Sequence, residues 1–357
     1  MVLIWVIFIL FILLMLALDL GVFHKKAHII NIREAFVWSG IWVAIALIFS
    51  IFVYFAYEAQ WFGLGSIIDT VDGLKNDGSL AVEKFLTGYV IEKSLSVDNI
   101  FIIALIFSSF AVPQIYQHRV LFWGILGALV LRGLMIGIGA LVIAKYHWVL
   151  YVFAAFLILT ALKMLLFKSE NNDPNDNIIV KLTRKFFPVT AKLHGEHFIV
   201  RAGTPESQES AYPGAPIVND DIVSKAKPGT ILLTPLALAL IMVESTDLIF
   251  AVDSIPAIFA ITGDPFLVFT SNVFAILGLR SLYFVLAGMS AKFQYLKVSL
   301  AIVLLVVGLK MIFAEWLKLT IGKHFNLYLL ALVFLILTLG VIASIFKEKN
   351  QLKIQTE

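Results

Sequence analysis

Glu92-Lys93-Ser94-Leu95-Ser96-Val97-Asp98-Asn99-Ile100-Phe101 sets two acids and a lysine inside an otherwise apolar run. An ionisable side chain at bilayer depth costs roughly 2.5–3.5 kcal/mol even on the lenient insertion scale, so its default reading is a functional site facing a protein interior or a wet cavity. Asp247-Leu-Ile-Phe-Ala-Val-Asp-Ser-Ile255 aligns on Glu92–Ile100 without gaps, acid on acid at both ends. The chain carries its candidate site twice.

The surroundings of these two stretches make the protein a membrane protein. Of its 357 residues, 61% are hydrophobic and 14% charged, with a mean hydropathy of +0.96, the profile of a polytopic all-α chain. It has no cysteine, which excludes disulfides, thiol redox catalysis and thiolate metal sites and leaves oxygen and imidazole ligands. A net charge of +3 points to no nucleic-acid partner.

Apolar runs of about 20 residues bounded by charge, Pro or Gly predict nine spans, near 1–18, 35–57, 81–109, 120–144, 148–167, 230–261, 266–288, 298–315 and 326–346. Met1–Leu18 lacks the basic leader of a secretory signal, and Lys25, Lys26 and Arg33 follow it, so the N-terminus is expected outside. An odd number of spans then puts the C-terminus, with Lys347, Lys349 and Lys353, in the cytoplasm. Segment 58–80, with Asp69, Asp72 and Asp77, reads as a solvated external loop. Segment 168–228 changes to Asn, Asp, Gly, Pro and Ser and reads as a cytoplasmic linker carrying a small hairpin around Phe198 and Ile231.

Two further blocks recur in the same order. Leu131-Arg132-Gly133-Leu134 matches Leu279-Arg280-Ser281-Leu282, and Ala161-Leu162-Lys163-Met164 matches Gly308-Leu309-Lys310-Met311. Each copy spans three helices, and because three is odd the second must enter the membrane from the opposite side. The expected architecture is two inverted three-helix repeats, the plan of alternating-access transporters with a site at the repeat interface. The division is 1–80 for two N-terminal spans and the acidic loop, 81–167 for the first repeat, 168–228 for the linker, 229–316 for the second repeat, and 317–357 for the last span and basic tail.

Residues six apart on a regular helix lie roughly 120° apart around the axis, so Glu92 and Asp98 cannot both address one ion unless the helix breaks. Ser94 and Ser96 in the first copy and Pro256 in the second make an interruption at each motif the expectation. Glu92, Asp98, Glu244, Asp247 and Asp253 would then form an oxygen-rich site for Mg²⁺, Ca²⁺ or Mn²⁺, with neutral oxygens from Asn99, Ser254, Thr246 and Asn272. The competing reading is buried ion pairing with Lys93, Arg132, Lys163, Arg280 and Lys310. Arg132 and Arg280 are read as partners of the acids, or as charges that change partner during a cycle. Lys163 and Lys310, at helix ends, are read as snorkelling. Asp19 stands between an interfacial acid and a site residue. His24 with His28, and His194 with His197, lack further ligands and read as surface histidines. No phosphate loop, nucleophile elbow or helical His-Glu-x-x-His motif is present, so no enzyme and no bound cofactor is expected.

These motifs resemble the TerC family of bacterial integral membrane proteins, its Alx-like branch in particular. The resemblance rests on Glu92–Phe101, on Glu244-Ser-Thr-Asp-Leu-Ile-Phe-Ala-Val-Asp-Ser-Ile-Pro-Ala-Ile-Phe-Ala-Ile-Thr262, on Ser271-Asn-Val-Phe-Ala-Ile-Leu-Gly-Leu-Arg280, and on Phe23–His28 and Tyr116–Gly124. It implies an inner-membrane protein of a family associated with tellurium resistance and, in the Alx-like members, with Mn²⁺ export. It carries the family's acidic positions onto Glu92, Asp98, Glu244, Asp247 and Asp253. The stretch Gly203–Lys227 is longer than the family pattern. The expected function is a divalent-cation exporter with manganese as its cargo, working by alternating access and exchanging the ion for protons. The alternative is a membrane scaffold in a metal or tellurite stress-response complex, docking a protein partner through 168–228.

Overall fold

The computed structural model describes residues 2–18, 31–166, 177–211, 215, 220–286 and 295–356, with side chains to residue 347. Asp19, His24 and His28 lie outside the described residues. Among the described residues thirteen α-helices and a two-stranded hairpin are formed: α1 Val2–Leu18, α2 Ile32–Glu58, α3 Gly78–Ser109, α4 Gln114–Lys145, α5 Val149–Leu166, α6 Ile178–Phe186, β1 Ile199–Arg201, α7 Asp221–Lys225, β2 Ile231–Leu233, α8 Pro235–Phe259, α9 Pro265–Leu277, α10 Leu279–Leu286, α11 Leu296–Ile312, α12 Ala314–Ile321 and α13 Phe325–Thr356.

A helix or bent pair of helices stands at each of the nine predicted spans. Length and composition alone identify five, namely α2, α4, α5, α8 and α13, and seven when the bent pairs α9–α10 and α11–α12 each count as one. At 17 residues α1 is a shorter apolar helix, and α3 carries Glu83, Lys84, Glu92, Lys93 and Asp98 along its length. Helix starts follow local chemistry. Asp77 caps α3 by accepting from the Leu80 amide at 2.8 Å, and Asp264 caps α9 by accepting from the Phe266 amide at 3.0 Å, with Pro265 in the first turn where no amide is needed.

The expected interruptions at the two motifs do not occur. Helix α3 runs unbroken from Gly78 to Ser109, with the Ser94 hydroxyl bonded back to the Val90 carbonyl at 2.5 Å. Helix α8 continues through Pro256, which lies in its last turn, so the missing amide frees one carbonyl and no more. The breaks fall elsewhere: 41° between α9 and α10 at Gly278, and 83° between α11 and α12 at Phe313. Gly278 leaves room for Lys93, whose ammonium donates to the Ala275 carbonyl at 3.1 Å.

Helix α3 packs against α9 and α8, α4 against α8 and α9, and α5 against α11. The linker gathers at one end of the bundle. There Arg119, in the first turns of α4, pairs with Glu196 at 2.6 Å and lies over the Phe198 ring, while Thr234, the cap of α8, donates to the His197 carbonyl at 2.7 Å. Helix α3 therefore ends at the linker face and α8 begins there, so the two run in opposite directions.

In the linker, β1 and β2 pair antiparallel with Val200 opposite Leu232. The hairpin takes residues 231–233 out of the predicted span. His194 is not a surface residue: it is fully buried 3.6 Å from Asp220, and burial lowers its pKa against the pull of that carboxylate. His197 is half-exposed and bonded to Glu209 at 2.8 Å.

The acidic segment 58–80 is likewise no solvated loop. Asp69 and Asp72 are buried, and both reach the Lys84 ammonium, at 2.8 and 2.7 Å. Nor does Lys310 snorkel: it is buried, donates to the Ala260 carbonyl and lies over the Phe325 ring.

The α5–α11 contact is close because Gly308 has no side chain; a Cβ there would sit 2.8 Å from Ile158 Cγ1 and 3.2 Å from the Ala154 carbonyl oxygen. Gly308→Val is expected to lower stability by about 1–3 kcal/mol, as overpacking does. Gly137→Ala, where nothing lies within 4 Å, serves as the neutral comparison. Thermal unfolding in detergent measures both, and equal midpoints for the two variants would refute the close-packing account.

Candidate functional site

Arg132 is 1% exposed in the middle of α4, and its guanidinium gathers groups from three other helices. Nη2 and Nε donate to the two carboxylate oxygens of Asp247 on α8, at 2.8 and 3.1 Å, the bidentate fork that arginine makes best. Nη1 donates to Glu92 Oε1 on α3, to the Ser254 hydroxyl at 3.3 Å and to the Asn272 carbonyl oxygen on α9 at 3.5 Å. Glu92 has no exposed surface, and a buried charge is tolerated only when it is paired and hydrogen-bonded.

The pairing is incomplete. One guanidinium faces two carboxylates, and the second oxygen of Glu92 and the amide nitrogen of Asn272 are buried with no hydrogen-bond partner. Glu244, one turn before Asp247, packs its carboxyl against α4 at Gly127, where a Cβ would overlap it, and its Oε2 is also buried without a partner. The locality thus holds more negative charge and more open oxygen positions than Arg132 uses. Carboxylate, amide and hydroxyl oxygens suit a hard divalent cation or protons.

Asp98 and Asp253 turn away from this centre, as the six-residue spacing on unbroken helices requires. Asp98, half-buried, lies in the field of Lys297 at the start of α11. Asp253, half-buried, accepts from the Thr160 hydroxyl on α5 at 3.2 Å and lines a cavity of about 460 Å³ with Phe156, Lys163 and Ile249. Because α3 and α8 are antiparallel, the six residues carry Asp98 about 9 Å toward the linker face and Asp253 about 9 Å toward the other. Asn99 is buried beside Asp98, and Arg280 is buried just past the Gly278 bend. Among the described residues no three acids or histidines are close enough to share a metal ion.

The chain matches the family described as integral membrane protein TerC over residues 78–352. It belongs to the TerC family of integral membrane proteins. It is 45% identical over 314 residues to a Myxococcus xanthus protein described as an uncharacterized membrane protein, covering 88% of this chain and 84% of the relative. It is 40% identical over 321 residues to a Photorhabdus laumondii protein provisionally named a membrane-bound redox modulator, Alx, covering 90% of this chain and 89% of the relative. The Escherichia coli K12 protein of that name is 40% identical over 308 residues, covering 85% of this chain and 83% of the relative. No solved structure matches the chain.

Sequence reasoning missed the buried group around Lys84. The signal was present: Lys84 falls inside the apolar run that becomes α3, and two acids precede it at Asp69 and Asp72.

Removing Arg132 alone strands the buried carboxylate of Glu92 and the partly buried one of Asp247. Arg132→Met is expected to cost about 3–5 kcal/mol, the usual penalty for breaking a buried pair from one side. The triple variant Arg132→Met, Glu92→Gln, Asp247→Asn should recover most of it. Thermal unfolding in detergent reads both, and a single variant as stable as the wild type would show that the cluster is not paired as described.

Proposed function

We propose that this protein exports a divalent cation, manganese first, across the bacterial inner membrane by alternating access, in exchange for protons. The observation that carries the reading is the single guanidinium set among the carboxylates of two separate helices at the centre of the bundle, with oxygens left over. In the cation-free state Arg132 holds the position that the ion takes among Glu92, Asp247, Ser254 and Asn272. Arrival of a divalent cation displaces it. Asp98 and Asp253, offset to opposite faces, receive the ion from one side and release it to the other.

Inverted repeats fit this reading. Exchanging α3, α4 and α5 with α8, α9–α10 and α11 turns the α3–α9 contact into the α8–α4 contact and maps α5–α11 and α3–α8 onto themselves, and all four contacts are made. The basic linker face would be cytoplasmic and the N-terminus outside. Some relatives are named as redox modulators; this chain has no cysteine, so a redox role here would not run through thiols.

Purified protein reconstituted in vesicles tests the proposal. Mn²⁺ is expected to cross the wild-type vesicle membrane, and Asp98→Asn and Asp253→Asn are each expected to slow it at least tenfold. Undiminished flux in both variants, with the protein inserted, would remove these two acids from the path. An inert wild type would overturn the transport reading itself.

A further inference from the structure

At the face away from the linker, the chain between α2 and α3 folds back as a strap over the helix ends. Its acids are committed. Lys84, fully buried on α3, donates to Asp69 at 2.8 Å and to the Asn76 side-chain oxygen at 2.6 Å, and pairs with Asp72 at 2.7 Å. Asp69 also accepts from the Thr262 hydroxyl and, at 2.8 Å, from the Gly263 amide, both in the turn between α8 and α9. Asp264, in the same turn, accepts from Tyr57 of α2 at 2.9 Å and from the Asn76 amide at 3.4 Å. Lys318 of α12 donates to the Asp72 carbonyl at 2.7 Å. One strap therefore ties α2, α3, α12 and the α8–α9 turn together.

The strap is held in a conformation it would not adopt freely. Gln60 and Phe62 have φ of 54° and 55°, the left-handed region that a side-chain-bearing residue avoids. Gly65 has φ +67°, and a Cβ there would overlap the Asn76 carbonyl. Burial pushes the Asp69 carboxyl up, but Lys84, Thr262 and the Val71 amide together hold it below the ordinary carboxylate range. Since its folded value is depressed, the stabilisation is present at neutral and mildly acidic pH and is lost only as pH falls through that lowered value.

What the strap joins gives it a role. Its ties end on α3 and on the turn leading into α9, and α3 and α9 are the helices that bring Glu92 and Asn272 to Arg132. We infer that the strap is the gate on the face away from the linker: the Lys84 ion pairs hold the ends of α3 and α9 shut, and the site opens to that face only when they part. This rests on the transport reading for what passes through the gate, and on the ties alone for the gate itself.

Because the protein has no cysteine, a staple tests it cleanly. A Cβ on Gly263 would overlap the Thr70 side chain, so Thr70→Cys with Gly263→Cys can bridge strap and turn. In reconstituted vesicles the oxidised pair should move Mn²⁺ at least tenfold more slowly than the same sample after reduction; equal rates would overturn the gate. A second readout does not depend on transport. Ser271, 1% exposed on α9 and opposite Gly88 of α3, becomes the reporter Ser271→Cys in nanodiscs. Its reaction with a hydrophilic maleimide should quicken several-fold on adding Lys84→Met, and likewise with Asp69→Asn and Asp72→Asn added so that no carboxylate is left unpaired. Unchanged labelling in both backgrounds would overturn the proposal. Labelling that responds to Lys84 in a protein that moves no cation would uphold the gate and dismiss the cargo.

Discussion

A guanidinium buried among carboxylates is expensive to assemble, since each charge gives up its hydration before it gains a partner. Arg132 meets that cost with a bidentate bond to Asp247, a bond to Glu92 and two neutral oxygens, drawn from α3, α8 and α9. These helices must therefore cross at one depth. Their long apolar sequences supply the surfaces that pack. The polar contacts at the centre select the register in which they do so.

The same logic recurs at the face away from the linker, where Lys84 collects Asp69, Asp72 and Asn76. Both centres put one cation among several acidic or amide oxygens, and in both the cation comes from a spanning helix. The difference lies in what surrounds them. Around Arg132, Glu92 keeps an orphan oxygen, and Glu244 one turn from Asp247 keeps another; around Asp69, both carboxylate oxygens are engaged. On the proposals made above, the first is the place of the cation and the second a fastening.

Much of this was legible in the residues. The duplicated acid motif, the nine apolar runs and the hairpin near Phe198 and Ile231 each follow from short-range pattern, and Arg132, a cation inside an apolar run, is legible as a partner of the acids. Three things were not legible. Helix continuity through Ser94 and Pro256 turns on detail that composition does not show, the Ser94 hydroxyl bonding back to its own helix and Pro256 falling in the last turn of α8, while the bend at Gly278 leaves room for Lys93, which reaches the Ala275 carbonyl 182 residues further on. The burial of Asp69, Asp72 and His194 depends on partners that composition cannot place, so acidic and Gly-rich stretches looked like solvated loops. The doubled motif suggests that Asp98 and Asp253 are halves of a single centre; on unbroken helices the same doubling displaces them about 9 Å in opposite directions.

The central question is whether Arg132 holds the place of a cation. Titrating Mn²⁺ into the purified protein and following the bound ion by electron paramagnetic resonance tests this without any transport step. Arg132→Gln should tighten Mn²⁺ binding, because it removes the competing charge, and Glu92→Gln combined with Asp247→Asn should abolish it. Binding that weakens on loss of Arg132, or that survives loss of both carboxylates, would show that Arg132 holds no cation's place.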